Sequence, residues 1–175
     1  MKKLYLIASL LLFAVQVYAQ EQSIANTKLI FELPNKHWFK HSDQDANGKH
    51  IDFYKREAII DSNGRQIIPN ISIITEEVGD SADVILFSAQ KRVSVPFEVD
   101  EVFSHDSEKA ILHYGYAVGY RGSYTDQNAL LHSVYVLHLI NGTTGVQIIM
   151  DITADLFDEF GEEFRTCISS IKAKK

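Results

Sequence analysis

Apolar and polar positions alternate over short stretches of this chain, and Pro, Gly, Asn and Asp punctuate them. Residues 28–33 place Leu29, Phe31 and Leu33 opposite Lys28, Ile30 and Glu32, a short strand that Pro34 stops. Residues 35–50 show no period and read as a polar loop around Trp38, the only tryptophan. Residues 51–61 are rich in aromatic and branched side chains and predict a strand, and Asn63-Gly64 is a hairpin signal because both residues accept positive φ cheaply. The returning strand sends Ile71, Ile73 and Thr75 one way and Asn70, Ser72 and Ile74 the other.

The period then changes. Asp80 or Ser81 caps a helix whose stripe is Ala82, Ile85 or Leu86, Ala89 and Val93, with Lys91 and Arg92 near its end and Pro96 as the stop. Strands resume over 96–106, 109–122, 129–142 and 146–153. The second of these puts Leu112, Tyr114, Tyr116, Val118 and Tyr120 on one face, predicting core tyrosines with hydroxyls at the rim. Phe157, Phe160, Phe164, Ile168 and Ile171 recur at helical spacing and predict an amphipathic C-terminal helix ending in lysines. The element order predicts an α+β fold, a mostly antiparallel sheet flanked by helices on both sides.

Residues 1–19 read as a signal peptide. Lys2 and Lys3 precede an apolar run, and Val17 and Ala19 stand at the −3 and −1 positions. Cleavage after Ala19 leaves a polar, flexible lead at 20–27 and a single domain at 28–175, periplasmic or secreted, with no stable membrane insertion. The net charge of −6 removes electrostatic support for nucleic-acid binding. Cys167 is the only cysteine, so no intramolecular disulfide forms, and its place near the stripe of the last helix reads as a small buried hydrophobe.

At three places the chain resembles the PsbP-like superfamily: FELPNKHWF near the start, IPNISIITEEV, and the closing GVQIIMDITADLFDEFGEEFRTCISSIK. The resemblance spans nearly the whole of the chain after residue 19. It implies an α-β-α sandwich and a binding or assembly role rather than catalysis, and it brings no functional residues with it.

The chemistry the residues offer is sparse. Asp43, Asp45, Asn47 and Gly48 reproduce the opening of a calcium loop, but loop position twelve, where an EF-hand needs Glu, is Tyr54. The stretch is therefore either a looser cation site, for calcium or, with His37, His41 or His50, a transition metal, or a solvated turn built of turn residues. Gly79-Asp80-Ser81 is similar to the nucleophile block of one esterase class, but no Asp-x-x-His follows it. His113, His132 and His138 lie in predicted strands. The expectation is a non-enzymatic, cofactor-free binding or assembly module for an unknown protein or envelope partner, with Trp38, Tyr120, Arg121 and Tyr124 as contact residues. The alternative is a metal-binding protein using residues 41–50.

Overall fold

The structure is a computed structural model that describes residues 20–95, 97–106 and 111–174. The signal peptide expected at 1–19 and the helix stop expected at Pro96 lie outside the described residues. The first strand, β1 (Gln20–Ser23), pairs antiparallel with β2 (Leu29–Leu33), so 20–27 is not a free lead: Ile24 is buried between the two strands. β3 (Trp38–Ala46) and β4 (Lys49–Arg56) form a hairpin. A small ladder of β5 (Ile59–Ile60) and β6 (Gln66–Ile67) follows, around the Asn63-Gly64 turn. Then come β7 (Asn70–Glu77), α1 (Val84–Ser94), β8 (Glu98–Ser104), β9 (Ala117–Thr125), β10 (Leu131–Asn141), β11 (Thr144–Thr153), α2 (Ala154–Ser169) and β12 (Lys172–Ala173).

Seven strands make one open antiparallel sheet in the order β3-β4-β7-β11-β10-β9-β8, and β1-β2-β12 make a second, small sheet. Alternation sorts the side chains. Ile71, Ile73, Tyr135, Leu137, Leu139, Val146, Ile148, Met150 and Ile152 point to one face, where they bury Leu29, Phe31 and Leu33 of the small sheet with Phe164 and Ile168 of α2. Trp38 closes this core: its indole Nε1–H donates to Glu163 Oε2 at 2.6 Å, and the Arg56 guanidinium reaches the same carboxylate at 3.0 Å while lying over Phe160.

The expected α+β, PsbP-like α-β-α sandwich is not what forms. The protein is mostly β, with two short helices against a wide open sheet. A sandwich needs a helical layer on each face. Of the eleven residues of α1, only Phe87 and Ser88 are buried, and the helix lies mainly over β9 and β10. Its expected stripe was placed on the wrong side, since Ile85, Leu86 and Val93 are 62%, 66% and 88% exposed.

Residues 35–50 are not a loop either. Asn47 and Gly48 have φ of 52° and 73°, the pair of positive values that a two-residue hairpin turn demands, and Ala46 pairs with Lys49 across them. β3 is the sheet's edge strand and is exposed along most of its length, so neither face imposed an apolar period.

Candidate functional site

On the face away from α2, β10 and β11 present Val134, Val136, Ile149 and Asp151, and β9 presents Tyr124. Val95 and Phe97, from the connection after α1, stand over them, and together these side chains line a cleft of ≈ 360 Å³. A second hollow of ≈ 580 Å³ adjoins it, sharing Phe97 and Tyr124 and edged by Glu98, Ser123, Thr125 and Leu131. Phe97 is held there by its neighbours. Arg92 lies 4.1 Å over its ring, and Gly122 leaves the space it fills, because a Cβ on Gly122 would stand 2.6 Å from Phe97 Cδ2 and 2.0 Å from the Glu98 carbonyl oxygen.

One end of the cleft is polar. The Tyr124 hydroxyl donates to Asp151 Oδ2 at 2.5 Å, and His132 Nδ1 meets Asp151 Oδ1 at 2.6 Å. The Tyr124 and His132 rings stack at 4.9 Å. Burial raises the Tyr124 pKa and the bond to Asp151 raises it further, so the phenol stays protonated and donates. Asp126 accepts the backbone N–H groups of Asn128 and Leu130, which hold its carboxyl below the usual range and keep it ionised.

A second polar group lies beneath α1. Ser88 Oγ is 2.7 Å from the Tyr120 hydroxyl and 2.8 Å from His138 Nδ1, and His138 Nε2 is 3.3 Å from the Gln147 amide nitrogen. The amide N–H donates to Nε2, which leaves the ring proton on Nδ1, donated to Ser88. Burial, helped by Lys91 and Arg92, pushes the His138 pKa down to about 4. A nucleophile needs a free base and room for a substrate, whereas Ser88 and His138 are both buried and bonded to each other. Their visible role is to fasten α1 to the sheet.

The contact residues expected from sequence are dispersed. Trp38 is core, at 1% exposure, and cannot meet a partner. Tyr120 belongs to the Ser88 cluster and Tyr124 to the cleft. Arg121 points to the opposite face, near Tyr135 and Arg165. Asp43, Asp45 and Asn47 do not converge on a common point. Lys40 Nζ lies 2.8 Å from both Asp43 and Asp52, His50 takes Asp45, and Asn47 makes the turn. Among the described residues no group of three or more His, Cys, Asp or Glu is placed to hold a metal ion. No histidine lines the hollow beside Ser81.

Sequence reasoning had no pointer to Val95 or Phe97, and it offered His132 only as a strand histidine beside His113 and His138. The available signal was Asp151, a lone acid in the apolar run 146–152. It also missed that Val134–Ile140 is buried without alternation, which requires cover on both faces of β10.

No family model matches the chain, and no curated protein matches it in sequence. Among solved structures it is similar to LpqN, involved in cell envelope biogenesis of Mycobacterium tuberculosis, with a TM-score of 0.56 and 17% identity over 89% of this chain and 91% of LpqN. At that identity the likeness speaks for the fold alone. A protein of Bacteroides thetaiotaomicron matches at a TM-score of 0.46 and 9% identity over 84% of this chain, which spans only 45% of that protein. Neither is described as PsbP-like, and no family match supports that resemblance.

Proposed function

We propose that this chain is a non-enzymatic binding module of the cell envelope, periplasmic or secreted, that holds an apolar group of its ligand in the cleft between Phe97 and Ile149. The cleft itself carries the reading. Five of its seven lining residues are Val95, Phe97, Val134, Val136 and Ile149, on a floor fixed by sheet hydrogen bonds and with a polar end that orients what enters. The fold shared with LpqN, described as involved in envelope biogenesis, and the signal peptide expected at 1–19 support the compartment. Among the described residues no helix is long and apolar enough to cross a membrane.

The test is a fluorescence titration with N-phenyl-1-naphthylamine, a neutral apolar probe that brightens out of water. The protein brightens it saturably. Ile149→Lys, which sets an ammonium against the apolar wall at a partly exposed position, weakens binding about tenfold or more. Brightening that ignores Ile149→Lys in a folded variant overturns the proposal.

A further inference from the structure

We infer that the ligand is an amphiphile with a cationic head, its apolar tail in the 360 Å³ cleft and its head among carboxylates at the Tyr124 end. This rests on the cleft being the binding site, as proposed above.

The two hollows share Phe97 and Tyr124 and so form one elongated groove, apolar at the Val136 and Ile149 end and polar beyond Tyr124. The polar half is rich in acid. Asp151 faces the first hollow, Glu98 lines the second, and Asp126 lies 3.8 Å from His132 Nε2 behind the stacked rings. Asp126 is held ionised by the backbone of its own turn. Among the described residues, His132 is the basic side chain shown in contact with this end, and its ring already meets Asp151. Arg92, the nearest guanidinium on the roof, is spread over the Phe97 and Tyr120 rings. An anionic head would meet the like charges of Asp151 and Glu98. An ammonium head there completes the charge balance. Tyr124 adds a π face beside the site, and aromatic faces favour cations over anions.

The experiment displaces the bound probe with three ligands of one tail length, decyltrimethylammonium, 1-decanol and decanoate, each below its micelle concentration at pH 7. The cation displaces best, the alcohol next and the anion least, with about tenfold or more between the first and last. Glu98→Gln and Asp151→Asn shrink the gap between cation and alcohol, a change in head-group preference that a merely structural role for these acids does not produce. Equal affinities for all three heads, or preference for decanoate, overturn the head assignment but leave the apolar cleft standing. Failure of all three to displace the probe overturns both.

Discussion

His138 shows how one side chain ties stability to pH. Its pKa is 6.5 when unfolded and about 4 in the folded protein, so between those values the unfolded chain binds the additional proton. The stability is present above pH 6.5 and is lost as pH falls toward 4, on the order of 3 kcal/mol in all. Urea midpoints measured at pH 7 and pH 4.5 should therefore fall steeply for the wild type and less for His138→Gln; equal slopes for the two would remove His138 as the cause. Glu163 tests a second, half-buried polar contact. Glu163→Ala leaves the Trp38 N–H without its acceptor and Arg56 without its partner, and should cost about 2 kcal/mol, while Glu163→Gln, which keeps an acceptor, should cost less. The residues 41–50 carry a more general lesson. Asp, Asn and Gly at these spacings suit a cation loop and a hairpin turn equally well. What decides is the partner strand, and Lys40, in the bulged edge strand, brings its own ammonium between Asp43 and Asp52.

At the scale of elements, legibility followed burial. Strands with one covered face wrote their period into the sequence, so Ile71, Ile73 and Thr75 were read to the correct side. The edge strand β3 has no such face. In α1 the spacing was real but pointed to solvent, because the helix buries only Phe87 and Ser88 against the sheet. Replacing Leu86 and Val93 by Glu should thus change stability by no more than about 0.5 kcal/mol each, whereas Phe87→Ala should cost about 3 kcal/mol. Thermal unfolding of the three variants checks this ordering. Gly122 fixes β8 to β9. A methyl group there meets the Glu98 carbonyl oxygen, which is backbone and cannot swing aside. Gly122→Ala should speed hydrogen exchange in β8 and in the β9 residues facing it, and leave the β3–β4 hairpin protected.

For the whole molecule, the site was illegible because its parts are distant in sequence. Val95 and Phe97 follow a helix, Tyr124 and His132 flank a turn, and Asp151 lies near the end of the last long strand; only the antiparallel register of β9, β10 and β11 brings them together. The sheet acts as a platform, with one face committed to the core and the other left partly open by a helix too small to cover it. The most direct test of that account is the map of amide shift changes in ¹⁵N spectra as N-phenyl-1-naphthylamine is added. Shifts confined to Phe97, Tyr124, Val134, Val136, Ile149 and Asp151 are the result predicted. Shifts centred on the exposed side of α1, at Ile85, Leu86 and Val93, with the cleft silent, would contradict it.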